Sequence, residues 1–527
     1  MQRSCIMEES VNHESINQCK SETTSTNLAI IFSRTQLGMS AISVNVEVHL
    51  SNGLPAFNVV GMPETAVKES KDRVRSAITS SKFEFPARRI TVNLAPADVP
   101  KVGGRFDLPI ALGILVASGQ IKANSLSEYE IIGELGLTGQ VKKVAGCLPS
   151  AIACKDSNRK MLLPQLSAKE ASFVEDLELF PVNSLSDAAG HFTNMSPVVF
   201  QPKGYLEFVS GETHQKMCFS EIKGQSQAKN ALEIAASGGH HLLMSGPPGC
   251  GKTMLATRFR SILPELSTKE ALETASIYSV SEMGFDISSW KQRPFRAPHH
   301  SASAVALIGG GGRPKPGEIS MAHNGVLFLD ELPEFSRQVL DQLREPIEAG
   351  YINIVRANAK VTYLSQFQLI AAMNVCRCGY FGDQSQPNRC QCSQASIENY
   401  RNKVSGPLMD RIDMHIHLAR IPISELQSLP KGETSDLISG RVKRAQMKQY
   451  DRQGCLNAKL RGELLDRVCE LDQTTKSLLI KAESQFNLSA RGYIRVLKIS
   501  RTIADMFSED RIQHSHVMQA LNFRQVN

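Results

Sequence analysis

The spacing of apolar residues changes twice along the chain. Between residues 28 and 165 two stretches, VNVEVHL (44–50) and RRITVNL (88–94), alternate with period two, the pattern of half-buried strands. TAVKESKDRVRSAITSS (65–81) between them repeats at helical spacing, and IIGELGLTGQVKKVAGC (131–147) suggests further strands. From residue 241 short unbroken runs take over: HLLMS, GVLFL and QLIAAM read as strands buried on both faces, as in a parallel sheet. YINIVRANAKVTYL (351–364) alternates on either side of RANA and predicts a β-hairpin with its tip at Arg356–Ala359. From about residue 422 every apolar set recurs at three-to-four spacing, in ISELQ, SDLISGRVKRAQMKQY, LLDRVCELDQTTKSLLIKAESQ, RGYIRVLKISRTIAD and SHVMQALNF. These are helices, with Leu479, Ile494, Leu497 and Ile503 expected in their core. The sequence thus predicts an α/β protein of several parts: a polar, disordered tail (1–27), a strand-rich α+β domain (28–195), a linker (196–214), a parallel-sheet domain (215–421) and a helical domain (422–527).

A chain of 527 residues exceeds one ordinary core, in agreement with that division. The longest apolar run, PIALGILVA (109–117), is too short to span a bilayer, and residues 1–27 hold no apolar signal-peptide core. A cytoplasmic protein without membrane contact is expected. In that compartment the twelve cysteines stay reduced, which excludes a disulfide scaffold. A net charge of +7 permits a polyanionic partner.

The chemistry concentrates at the ends of the buried strands. After HLLMS comes Gly246-Pro247-Pro248-Gly249-Cys250-Gly251-Lys252-Thr253, then a helical pattern. Strand, glycine-rich loop and helix in this order form a P-loop, whose backbone N–H groups cradle phosphate oxygens. Lys252 is expected on the β/γ-phosphates and Thr253 on Mg²⁺. About 75 residues on, GVLFLDE ends in Asp330 and Glu331; Asp330 would hold the Mg²⁺ and Glu331 would polarise the attacking water. QLIAAMN ends in Asn374, placed to orient that water. The expectation is an enzyme that hydrolyses ATP by positioning and electrostatics.

These motifs, together with VEVHLSNGLPAFNVVGMPETAVKESKDRVRSAI, ITVNLAPADVPKVGGRFDLPIA, RPFRAPHHSASAVALIGGG, SGPLMDRIDMHI and LSARGYIRVLKISRTIADM, resemble the magnesium-chelatase-like AAA+ ATPases, and within them the bacterial ComM/YifB-like group. The resemblance runs from about residue 28 to the end. It implies a homo-hexameric ring motor, and for the ComM group a DNA helicase that promotes branch migration in natural transformation. It also assigns residues that spacing cannot. Arg411 matches the arginine finger that enters a neighbour's ATP site; Arg491, with Arg495 as its understudy, matches the sensor-2 arginine of the helical lid. On the residues alone, Arg411 reads as a surface ion pair and Arg491 as a helix-face charge.

Residues 28–165 resemble the ribosomal-S5-domain-2-like fold shared with Lon proteases. Lon proteolysis needs a Ser nucleophile and a Lys base. Here the matching stretch GGRFDLP (103–109) lacks Ser, and Ser150 stands where the Lys would fall. Peptidase activity is therefore excluded, and an assembly collar or nucleic-acid surface is expected. Lys68, Lys71, Arg73 and Arg75 are candidates for DNA contact there, against the plainer reading of a solvated helix face.

DNA, single-stranded or branched, is the expected partner. Arg356 and Lys360 on the hairpin, and Arg313 and Lys315 in the mobile loop GGGGRPKPGEIS (309–320), are the candidate phosphate contacts. A lone tryptophan, Trp290, offers little base stacking. His299 and His300 are expected to have a structural or ATP-site supporting role rather than to bind metal. The alternative to a DNA motor is a chelatase-type ATPase that remodels a protein client.

Cys376, Cys378, Cys390 and Cys392 form two Cys-x-Cys pairs between Asn374 and Arg411. Four thiolates can close a tetrahedral structural Zn²⁺ site, though gaps of one residue are tighter than usual. Val375 and Arg377 stand where the ComM group often has prolines. Structural zinc, free thiols and a redox switch all remain open.

Overall fold

The computed structural model describes residues 27–122, 125–193, 195–198, 217–312, 314–356, 359–383, 389–486 and 488–524. The expected tail up to residue 26, most of the expected linker and Arg313 lie outside them. The chain forms two compact units. The first is built from the chain up to residue 202, apart from segments 37–40 and 145–149, which group with the second, formed by the remainder.

The first unit holds a seven-stranded sheet, in the order Ala56–Val60, Arg89–Ala95, Ser40–Ser51, Leu28–Leu37, Tyr129–Ile131, Lys160–Pro164, Leu179–Val182. Ser40–Ser51 and Arg89–Ala95 pair antiparallel, with Val46 opposite Leu94, Val48 opposite Val92 and Leu50 opposite Ile90. All six side chains are buried, which is why both stretches alternate with period two. The apolar run 109–117 lies in the Asp107–Ala117 helix, almost wholly buried. The helical stretch 65–81 is two helices, Thr65–Lys68 and Ser70–Ser80, divided at Glu69.

The second unit holds a five-stranded parallel sheet ordered Phe295–Arg296, Val326–Leu329, Gln368–Met373, Leu242–Ser245, Met414–His417. The three apolar runs are its central strands, and register aligns their carboxyl ends: Ser245 pairs with Met373, and Leu329 with Ala371. Loops leaving such edges form ligand sites in open α/β sheets. The C-terminal helices Ser435–Gln453, Gly462–Val468, Gln473–Phe486, Ala490–Met506 and His514–Asn522 share one core with Leu242 and Met244 of the sheet. Leu479, Leu497 and Ile503 belong to that core. Ile494 does not: it is 36% exposed. It lies nine residues from Ile503, about two and a half helical turns, and therefore points the opposite way. Among the described residues no helix is long and apolar enough to cross a membrane.

Candidate nucleotide site and its surroundings

The Leu242–Ser245 strand ends at Gly246, where a Cβ would stand 2.6 Å from the Leu418 carbonyl oxygen; only glycine lets the chain leave the sheet here. Gly249 (φ +77°) and Gly251 (φ +96°) take left-handed backbone that disfavours side chains, and the space beside each Cα is open. The Lys252–Phe259 helix starts immediately afterwards. Lys252 Nζ donates to the carbonyl oxygens of Gly246 (2.8 Å) and Pro247 (3.0 Å) and to Asn374 Oδ1 (3.1 Å). Thr253 Oγ1 donates to Asp330 Oδ2 at 2.7 Å. A hydroxyl and a carboxylate this close suit Mg²⁺, which takes few protein ligands and keeps its waters.

Glu331 has φ +51°, unusual for a residue with a side chain. Its backbone N–H donates to Asp330 Oδ1 at 2.9 Å, so this turn sets both acids. Glu331 Oε2 lies 3.3 Å from His300 Nδ1, and the His300 ring sits 4.1 Å from that of His299. The pair stands beside the acid expected to polarise water, a supporting position. Pro248, Gly249, Gly251, Lys252, Thr253, Asp330, Glu331 and Asn374 line one cleft of about 320 Å³. Met254 and Met373 complete its wall; neither is legible as a site residue in the sequence.

The chain matches the family described as magnesium chelatase, subunit ChlI, over residues 218–426, with companion matches to subunit ChlI of Mg-chelatase (46–167) and its C-terminal region (432–524). It is 47% identical to the competence protein ComM of Haemophilus influenzae over 94% of this chain and 97% of that protein. It is 45% identical to YifB of Escherichia coli over 95% and 97%. The chain belongs to the ComM/YifB-like family of magnesium-chelatase-like AAA+ ATPases. A more distant likeness, 23% identity over 45% of the chain, links it to RuvB, a Holliday junction branch migration complex subunit of Oenococcus oeni.

In this AAA+ chain the two assigned arginines lie off the cleft. Arg411 is 11% exposed; its Nη2 is 2.9 Å from Glu348 Oε1, and its Nη1 donates to the Pro407 carbonyl at 2.8 Å. Arg491 is exposed in the first turn of the Ala490–Met506 helix, with no hydrogen bond or ion pair among the described residues. Arg495 is unsuited as an understudy, because its Nε is 3.0 Å from buried Asp413. Burial alone would raise the Asp413 carboxyl; the hydrogen bond to His240 and the charge of Arg495 outweigh it and hold it well below the usual range. Burial pushes His241 down to about 4 and His415 to about 3, so both stay neutral.

The four cysteine Sγ atoms lie within 4.8 Å of one another. Cys390 is 3.8 Å from Cys376 and 3.6 Å from Cys378. Cys376 and Cys378 are 3.3 Å apart. Zn–S bonds of about 2.3 Å in a tetrahedron place sulfurs about 3.8 Å apart, so the set is compatible with Zn²⁺ after a small spreading of the first pair. Immediately after the first pair, Gly379 (φ +86°) abuts the P-loop: a Cβ there would be 2.6 Å from Pro248 Cδ.

The hairpin forms as the alternation requires, from Tyr351–Arg356 and Ala359–Leu364, with Arg356 opposite Ala359 and Val355 opposite Lys360. Ile352, Ile354, Val361 and Tyr363 are buried; Arg356 and Lys360 are exposed. Arg356 also covers the glycine loop, its Nη2 3.1 Å from where a Gly310 Cβ would be. Lys315 is not a free cation, because Glu282 Oε1 lies 2.5 Å from its Nζ.

In the first unit Arg105 and Ser150 are both buried, and Arg105 Nη1 donates to Ser150 Oγ at 3.3 Å. Of the four basic candidates nearby, Arg73 is consumed internally: its guanidinium donates to both oxygens of buried Asp107, at 2.7 and 3.1 Å. Its place on a helix face concealed that long-range partner. Arg75 lies over the Phe85 ring.

Proposed function

We propose that this ATPase is a homo-hexameric motor that moves along DNA and promotes branch migration during recombination, as in natural transformation. The observation that carries the reading is the hairpin. It exposes Arg356 and Lys360, and its return strand leads at once into the Gln368–Met373 strand that ends at Asn374. Two unspecific cations on a stalk joined to the catalytic sheet suit a motor that must step along any sequence. The likeness to a branch migration subunit supports the same reading.

In this account Lys252 binds the β/γ-phosphates, and Thr253 and Asp330 hold Mg²⁺, which neutralises charge on the phosphate oxygens when bound. Glu331 polarises the attacking water and Asn374 orients it. Arg411 reaches the nucleotide of the adjoining subunit, and Arg491 reaches the nucleotide from the lid. An arginine supplied in trans makes hydrolysis depend on assembly. The four cysteines hold a structural Zn²⁺ beside the P-loop.

The test measures ATP hydrolysis and strand displacement on single-stranded, duplex and four-way-junction DNA side by side, with Lys252→Ala as control. Stimulation by branched DNA and loss of junction movement in the variant are expected. No stimulation and no DNA binding at low salt would overturn the reading in favour of a chelatase-type ATPase that remodels a protein client.

A further inference from the structure

Three elements meet at Glu348, a residue that no motif marks. Its carboxylate holds Arg411 at 2.9 Å. Its backbone carbonyl accepts a hydrogen bond from Nη2 of Arg461, at the start of the Gly462–Val468 lid helix, at 2.7 Å. Its own helix, Arg344–Ala349, ends at Gly350 (φ +77°) and runs into the first hairpin strand at Tyr351. The hairpin base closes on the same point, with the Ser365 N–H donating to the Gly350 carbonyl at 2.8 Å.

The Arg411 guanidinium is imperfectly housed. Nη1 and Nη2 have partners, but Nε is buried and has none among the described residues. Glu348 is itself 47% exposed. A solvated carboxylate holds an arginine weakly. A terminal phosphate offers more charge and a bidentate geometry, so it can take the arginine away.

We propose that Glu348 is a latch that links a neighbour's nucleotide to this subunit's hairpin. Without a facing γ-phosphate, Glu348 retains Arg411. When Arg411 turns to that phosphate, the helix end carrying Glu348 loses its anchor, and the hairpin attached through Gly350 is freed to move. Hydrolysis and phosphate release return Arg411 to Glu348 and reset the hairpin. The proposal rests on the reading of Arg411 as a trans-acting residue and of the hairpin as the DNA contact. Glu348 is a positioning residue: it acts through Arg411 and touches no substrate.

The experiment compares full-length wild type, Glu348→Gln, Arg411→Ala and the double variant, with and without DNA. Glu348→Gln is expected to raise DNA-free ATP turnover about fivefold, with the KM for ATP little changed, and to bring DNA stimulation close to unity. The double variant is expected to be as inactive as Arg411→Ala, since the latch works only through that arginine. Wild-type turnover and stimulation in Glu348→Gln, with Arg411→Ala inactive, would overturn the latch and leave the trans reading intact. Wild-type turnover in Arg411→Ala would overturn the trans reading, and the latch with it. A second measurement uses the unmodified protein. Amide hydrogen exchange over 347–356 is expected to be faster with a non-hydrolysable ATP analogue than with ADP. Equal exchange in the two states would overturn the latch.

Discussion

Asn374 Oδ1 accepts a hydrogen bond from Lys252 Nζ at 3.1 Å, so the amide at one strand end and the lysine of the neighbouring loop position each other. A side chain tied to Lys252 is well placed to register a γ-phosphate on that lysine. If Asn374 orients the attacking water, Asn374→Ala is expected to lower kcat about 100-fold with KM little changed, because no phosphate contact is removed. Lys252→Ala is expected to lose ATP binding itself. Steady-state kinetics and binding of a fluorescent ATP analogue separate the two effects.

If Arg411 serves the adjoining subunit, two defective chains can rescue each other. Arg411→Ala alone is expected to lose about 1000-fold in turnover. Mixed and reassembled with Lys252→Ala, it supplies intact loops while its partner supplies intact arginines, and about a quarter of sites regain both under random mixing. Recovered ATPase activity in the mixture is the expected outcome. A mixture as inactive as its components contradicts a shared site.

The cysteine cluster is expected to bind about one zinc per chain. Cys376→Ser and Cys390→Ser should each abolish it by native mass spectrometry. Gly379→Ala should keep the metal and still weaken ATP binding, since its Cβ collides with Pro248 and its φ of +86° is strained. Unchanged nucleotide affinity in all three variants, with zinc lost from the two serine variants, would separate the cluster from the P-loop.

On the hairpin, Arg356→Ala and Lys360→Ala are each expected to weaken DNA binding equally across sequences. Each should also reduce the slope of log affinity against log salt by about 1. Lys315→Ala should matter less, because Glu282 already neutralises that lysine, and Glu282→Ala should tighten binding. Fluorescence anisotropy over a salt series reads all four.

Burial pushes the Asp107 carboxyl up to about 6, against the hydrogen bond and charge of Arg73. The ordinary value for an unfolded Asp is about 3.9. The folded unit therefore keeps a proton that the unfolded chain gives up. That stabilisation is complete below about pH 4 and is lost as pH rises through about 6. Asp107→Asn removes the dependence. Relative to wild type, its stability is expected to gain on the order of 3 kcal/mol between pH 4 and pH 8. Hydrogen exchange over the Asp107–Ala117 helix reads this directly, and parallel pH curves for the two proteins would contradict it.

The nucleotide cleft was legible because its signals are local. Apolar runs locate the strands, and the polar residue that follows each run falls at the carboxyl edge of the sheet. Lys252, Thr253, Asp330, Glu331 and Asn374 meet for that reason. Relationships that depend on packing between distant segments were not legible. Periodicity gave Arg73 a helix face but not its partner Asp107, and gave Ile494 a helix but the wrong side of it. It also ran through Glu69, where the structure divides one helical stretch into two. The left-handed turn at Glu331 and the pairing of Arg411 with Glu348 leave no trace in composition or spacing.

The contact between Arg105 and Ser150 limits how the interior of the first unit can change. Neither residue can be exchanged by itself without cost. Ser150→Lys sets a second buried cation against Arg105, and like charges in a water-poor interior repel strongly. Arg105→Ser empties the volume of a large side chain and strips the Arg34 carbonyl of a donor. Each single step crosses a less stable protein, so the two positions, 45 residues apart in the chain, can drift only together.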